Sequence, residues 1–155
     1  LSVIKSVIKS NNDRVSLLTK RVHKIIGNDL KGKRISLLGV TFKPNTDDMR
    51  DSTSLKMIPY FCKRGAIVSY YDPSGEKEVF LKLKNCHFKK NIKENCFNAD
   101  LIILLTEWEE FKSVDFKKIV KKKNFKVYDL RNLYTASEMK RNKIKYDSIG
   151  RPDIN

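Results

Sequence analysis

The chain is predicted to be an α/β protein: a doubly wound parallel sheet preceded by a long N-terminal helix. Three observations predict it. Residues 101–105, Leu-Ile-Ile-Leu-Leu, are an unbroken apolar run of strand length, as a parallel strand covered on both faces requires. From residue 33 onward, strand-like runs alternate with stretches of helical spacing. A polar segment at residues 39–52, GVTFKPNTDDMRDS, joins the first strand to the first helix of the sheet. Sheets of this class build ligand sites at such strand ends.

In residues 1–27, Val3, Ile4, Val7, Ile8, Val15, Leu18, Val22, Ile25 and Ile26 recur at steps of three and four. That spacing predicts one long helix or two in series, weakest at Asn11-Asn12-Asp13 and stopped at Gly27-Asn28. The stripe has too few neighbours to be buried alone. Residues 1–30 are therefore read as a helical connector from a preceding domain, and 31–155 as the domain proper. Residues 33–40 are the first strand. Residues 52–64 are a helix with Asp51 or Ser52 as N-cap and Gly65 as its stop. Residues 66–71 are the second strand, broken by Asp72-Pro73. A short helix is expected at 76–83, a short strand from His87-Phe88, and a helix at 91–98. After the central strand 101–105, residues 106–111 form a loop or helical turn. A helix at 115–122, a strand at 125–129, a helical stretch at 138–140 and a last strand at 145–149 complete the pattern.

Composition limits the function classes. The chain has 155 residues, 40 % of them hydrophobic and 33 % charged, which suits one domain with its own core. Net charge is +15, which invites a nucleic-acid reading. The excess, however, is Lys spread over every segment. Its only dense run, Lys117-Lys118 with Lys121-Lys122-Lys123, falls at a helix end, where cations offset the macrodipole. The surplus is read as solvated faces, and no nucleic-acid partner is expected; a basic surface would still steer a diphosphate inward. No apolar run approaches the roughly 20 residues that span a bilayer, so no membrane partner is expected. No signal-peptide pattern is present. The chain starts without Met inside a helical pattern, so a piece of a longer protein is expected. Cys62, Cys86 and Cys96 form no CxxC pair, which fits a cytoplasmic protein without a disulfide framework or metal site.

The loop after the first strand has a single glycine, Gly39, and lacks G-x-G-x-x-G. Phe42 and Lys43 stand where a dinucleotide fingerprint needs small residues. The sheet is therefore not expected to hold NAD in the usual way. A lysine at a strand end can instead offer a point charge to a diphosphate. On residue type alone, Lys43 reads as a solvated loop lysine, Phe42 as core, and Asp47, Asp48 and Arg50 as ion pairs that pin the loop.

Five segments in order change that balance: G-V-T-F-K-P-N-T-D-D-M-R-D-S at 39–52, Y-Y-D-P at 70–73, A-D-L-I-I-L-L-T-E-W at 99–108, Y-D-L-R-N at 128–132, and Y-D-S-I-G-R-P at 146–152. Together they resemble the C-terminal, UDP-sugar-binding domain of the UDP-glucose/GDP-mannose dehydrogenase family. Within it, K-P-N-T-D-D-M-R-D-S and T-E-W-E-E-F look most like bacterial members that oxidise UDP-glucose. The alternatives are members acting on UDP-N-acetylmannosamine or GDP-mannose, or a nucleotide-binding module without turnover.

The resemblance implies a Rossmann-like fold and a parent enzyme of three parts: an NAD-binding domain, a central helical dimerisation domain, and this one. It implies NAD-dependent oxidation of a UDP-sugar through a catalytic cysteine in a G-F-G-G-x-C-F-P-K-D motif. That motif is absent here, so no catalytic residue is assigned, and residues 1–27 resemble the last helix of the central domain. Phe42, Lys43 and Arg131 match the family's substrate-binding residues, and Arg50 matches one that reaches toward NAD. Glu107, Trp108 and Arg151 are read as packing and surface pairs on the same rim. The parent is expected to be a homodimer or higher through the central domain.

Overall fold

The computed structural model describes residues 2–149, so Gly150, Arg151 and Pro152 of the last motif lie outside the described residues. The first helix, α1 (Ser2–Ile26), runs through Asn11-Asn12-Asp13 without a break, and Gly27 ends it at φ +100°. Three polar residues cost a helix little where neither Gly nor Pro interrupts its hydrogen bonds. The C-terminal half of α1 packs on the sheet. Leu18 and Val22 are buried, while Val3 and Ile4 stand exposed. Polar ties hold that half in place: Arg21 Nε donates to Asp147 at 2.7 Å, Lys126 Nζ to the Ile25 carbonyl at 2.7 Å, and His23 Nε2 lies 2.7 Å from the Tyr60 hydroxyl.

The sheet has six strands, β1 (Arg34–Leu38), β2 (Ile67–Tyr71), β3 (Cys86–Phe88), β4 (Leu101–Leu104), β5 (Lys126–Asp129) and β6 (Lys145–Ser148). All neighbours pair in parallel, in the order β3-β2-β1-β4-β5-β6. Chain direction across the sheet reverses between β1 and β4, and that crevice is where a doubly wound fold presents its ligand site. Every residue of β4 is buried, as its unbroken apolar run demands.

Two apolar layers cover the faces. One joins Leu18, Val22, Met57, Ile58 and Phe61 of α1 and α2 (Ser54–Lys63) to Ile35, Leu37, Val68 and Ile103. The other packs Cys96, Phe111, Phe116, Tyr134 and Met139 against Leu38, Ile102, Leu104 and Val127. It is carried by α3 (Ile92–Cys96), α4 (Phe116–Ile119) and α5 (Ala136–Arg141).

Boundaries differ from expectation where side chains choose the cap. Neither Asp51 nor Ser52 caps α2. Asp51 sits at φ +61° in a turn, Thr53 is the N-cap without a side-chain bond, and Ser52 Oγ accepts from the Ser54 amide at 3.3 Å. Asn91, Asp115 and Thr135 cap α3, α4 and α5 by accepting from the amides of Glu94, Lys118 and Glu138, so those helices start later than, or extend beyond, the expected ranges. The helix expected at 76–83 contracts to one 3₁₀ turn, Glu78–Phe80, that buries Phe80.

Candidate functional site

Two buried carboxylates organise the strand ends, Asp72 the loop after β1 and Asp129 the turn after β5. Asp72, at the end of β2, is 1 % exposed. Its Oδ2 accepts from the Val40 and Thr41 amides at 2.8 and 3.3 Å, and its Oδ1 from the Ser74 amide and hydroxyl at 2.9 and 2.5 Å. An acid at this strand end binds a ribose hydroxyl in dinucleotide folds. Here both oxygens are engaged by their own loops. This agrees with the missing glycine fingerprint: the residues present do not fit NAD on this sheet.

Asp129, at the end of β5, is fully buried. It accepts from the Arg131 amide at 3.0 Å and the Tyr134 amide at 3.0 Å, and the Tyr146 hydroxyl lies 2.7 Å away. That turn, with Asn132 at φ +54°, directs Arg131 back over β4. Arg131 Nε donates to the Leu105 carbonyl at 2.9 Å and lies 3.1 Å from Glu107 Oε2. The Nε hydrogen points at Leu105, so Glu107 Oε2 is left without a hydrogen bond. Among the described residues, the Arg131 side chain is anchored through Nε, with no hydrogen bond made by its two terminal nitrogens.

Gly39 and Thr106 close the crevice between β1 and β4. Gly39 has φ +82°, and a Cβ there would stand 2.6 Å from Thr106 Cβ. Thr106 Oγ1 donates to the Thr41 carbonyl at 2.9 Å, Trp108 Nε1 to Thr41 Oγ1 at 3.3 Å, and Thr41 Oγ1 to the Lys43 carbonyl at 3.0 Å. The hydroxyls of Ser52 and Ser54 both donate to the Val40 carbonyl at 2.6 Å. These bonds set the loop backbone and leave Phe42 48 % exposed, an aromatic face open to solvent.

Phe42 and Arg131 line one cleft of about 460 Å³ with Thr41, Ser52, Leu55, Lys56 and Arg14. Arg14 and Lys56 were not among the expected site residues. They come from α1 and α2, outside the motifs that carry the resemblance, and only their charge could have signalled them. Lys43 is exposed on the loop but does not line the cleft. Arg50 is likewise outside it. Its Nε and Nη2 make a two-pronged ion pair with Asp48, each at 3.1 Å, and those hydrogen bonds hold the Asp48 carboxyl below the usual range. Trp108 and Glu107 support Thr41 and Arg131, as packing and pairing residues do; Arg151 lies outside the described residues.

A larger cleft of about 570 Å³ lies beside α3, lined by Arg34, Ser36, Ser69, His87 and Asn95 among others. It contains no expected site residue. Its Ser36, Ser69 and Asn95 hydrogen bonds pin α3, a helix too short to be held by apolar burial alone. Among the described residues no group of three His, Cys, Asp or Glu side chains is arranged to hold a metal.

Residues 36–136 match the model of the UDP-glucose/GDP-mannose dehydrogenase family, UDP binding domain. The chain is 34 % identical over 154 residues to a UDP-glucose 6-dehydrogenase of Rhizobium meliloti, covering 97 % of this chain and 35 % of that one. It is 33 % identical to a UDP-glucose 6-dehydrogenase of Rickettsia bellii, covering 96 % and 35 %. The chain thus spans about a third of the length of the curated relatives it matches. Among solved structures, an NDP-N-acetyl-D-galactosaminuronic acid dehydrogenase from Methanosarcina mazei Go1 superposes with a TM-score of 0.72 at 26 % identity, over 90 % of this chain and 29 % of that one. A UDP-glucose dehydrogenase from Pyrobaculum islandicum shares the fold at a TM-score of 0.66 and 24 % identity, over 94 % and 30 %.

Proposed function

This chain belongs to the UDP-glucose/GDP-mannose dehydrogenase family, and from that premise we propose that it is the sugar-nucleotide-binding part of a UDP-glucose 6-dehydrogenase. The parent reaction is oxidation of UDP-glucose to UDP-glucuronate with reduction of two NAD. The parent is cytoplasmic and at least dimeric, α1 being the end of its central dimerisation domain.

One observation carries the reading: Phe42 and Arg131 meet at a cleft on the carboxyl edge of the sheet, where β1 and β4 diverge. Arg131 presents its terminal nitrogens to the diphosphate, with the fork geometry that suits phosphate oxygens. Arg14 and Lys56 add positive charge to the same cleft. Phe42 offers its ring to the uracil or the sugar, and Lys43 attracts the diphosphate from the outer loop.

NAD, bound by the other domain, supplies the hydride acceptor. Arg50 faces that domain from the loop tip, held in readiness by Asp48. No residue of this chain performs the chemical step. The preference for UDP-glucose over related sugars rests on the 34 % and 33 % identical relatives.

Calorimetric titration of the chain with UDP, uridine and a DNA duplex tests the reading. UDP should bind, uridine much more weakly, and DNA should not displace UDP. Equal affinity for UDP and uridine would remove the diphosphate from the account.

A further inference from the structure

Two cysteines that the dehydrogenase reading leaves unused come together on the face of the sheet covered by α2. Cys62 is in the last turn of α2, and Cys86 is the first residue of the edge strand β3. Both are half-buried and pack against the same apolar cluster, so neither is sealed from solvent. Cys62 Sγ lies 3.9 Å from the carbonyl oxygen of Asn85, the residue before Cys86. Asn85 turns the chain at φ +65° and sets the approach of β3, whose Cys86 pairs in register with Val68 of β2. The two side chains thus face one corner of that cluster, with the Cys62 sulfur held against the backbone that leads into Cys86.

We propose that Cys62 and Cys86 form a redox-modification site, a dithiol that closes reversibly to a disulfide between α2 and the edge strand β3. The neighbouring thiol draws Cys62 below its ordinary value, while the same neighbour and burial push Cys86 up. In this direction Cys62 is the attacking sulfur. Cys96 is the internal contrast: it is fully buried, and burial pushes its thiol up to about 12.

With hydrogen peroxide as oxidant, the Cys62 thiolate attacks the O–O bond. A sulfur–oxygen bond forms, the O–O bond breaks, and the departing hydroxide takes a proton to become water. The Cys86 sulfur then attacks the Cys62 sulfenic acid. The sulfur–sulfur bond forms, the sulfur–oxygen bond breaks, and the leaving hydroxide carries off the Cys86 proton as a second water. The two thiols lose two electrons, which the peroxide gains; a thiol reductant reverses the process by exchange. A reversible pair of this kind is the form in which disulfides occur in a reducing compartment. Closing the segment 62–86 fastens the end of α2 opposite Leu55 and Lys56, the residues of that helix that line the cleft.

The test treats the reduced 155-residue chain with hydrogen peroxide, quenches with an alkylating agent, and maps the peptides by mass spectrometry. The expected product is an intramolecular Cys62–Cys86 linkage, about 2 Da lighter, reversed by dithiothreitol, with Cys96 reduced. It should form at least about tenfold faster in the folded chain than in denaturant, because folding aligns the sulfurs. Cys62→Ser and Cys86→Ser should each abolish it, and Cys96→Ser should leave it. The oxidised chain should melt several degrees higher than the reduced chain. Linkage through Cys96, links between chains, a sulfinic acid on Cys62 beside an alkylatable Cys86, or equal rates in folded and unfolded chains would each overturn the proposal. The rate comparison uses the unsubstituted chain, so it stands whether or not the variants fold.

Discussion

Replacing Gly39 by Ala should damage this domain more than a single added methyl usually does. The residue sits at φ +82°, and its new Cβ would stand 2.6 Å from Thr106 Cβ and 2.8 Å from Thr106 Oγ1. An L-residue in the left-handed region costs ~1–2 kcal/mol. Forcing a methyl into a filled site costs ~1–3 kcal/mol. Thr106 is fully buried, so it yields only by giving up its hydrogen bond to the Thr41 carbonyl, a further ~0.5–1.5 kcal/mol. The expected loss is about 3–6 kcal/mol, or a fall in melting temperature of order 10 °C. Urea denaturation of the chain, followed by circular dichroism, measures it. Thr106→Gly removes the two nearest contacting atoms, so the double variant Gly39→Ala with Thr106→Gly should show a favourable coupling of about 1–3 kcal/mol. The backbone penalty should remain. A loss below about 1 kcal/mol, or a coupling near zero, would refute the close approach of β1 and β4 on which the site geometry rests.

Burial pushes the hydroxyls of Tyr70, Tyr128 and Tyr134 up to about 12. A group whose folded value is raised contributes stability that is complete below its unfolded value, about 10 for Tyr, and is lost as pH rises through the folded value. The urea midpoint should therefore fall between about pH 10 and 12, together with the rise of tyrosinate absorbance; a midpoint that stays level through that window would contradict the burial argument. In a full-length enzyme, Arg50→Ala should raise the apparent KM for NAD and alter that for the sugar nucleotide less, and the reverse pattern would put Arg50 on the substrate side. The 155-residue chain should produce no NADH from UDP-glucose and NAD, so measurable turnover after purification would return the chemistry to this domain.

The sheet was legible because its signals are local. The apolar run at β4 and the alternation around it announce a parallel sheet, and Gly65 and Gly27 mark their helix ends with positive φ. Cap positions were less legible. A capping side chain is chosen by three-dimensional fit, so Ser52 turned inward to the Val40 carbonyl, leaving Thr53 to start α2. The 76–83 segment has helical composition but contracts around Phe80, which the core draws in.

The site was readable only in part. Phe42 and Arg131 stand at strand ends, where topology gathers residues, and both line one cleft. Arg14 and Lys56 arrive from two helices whose relative placement no local spacing encodes. Lys43 shares its neighbour's motif yet stays outside the cleft, because the Phe42–Asp48 and Thr41–Lys43 bonds fix the loop's turn.

The central claim is that this crevice grips a diphosphate through Arg131, with Lys43 acting from its margin. Its most direct test is calorimetric binding of UDP and uridine to a full-length enzyme and to its Arg131→Ala and Lys43→Ala variants. A charge-assisted hydrogen bond contributes about 1.5–3 kcal/mol, so Arg131→Ala should weaken UDP roughly ten- to a hundredfold and leave uridine nearly unchanged. Lys43→Ala should weaken UDP less, and rising salt should erase its effect first, because an exposed charge is the more easily screened. Parent-like UDP affinity in both variants, or an equal loss for uridine, would contradict the account.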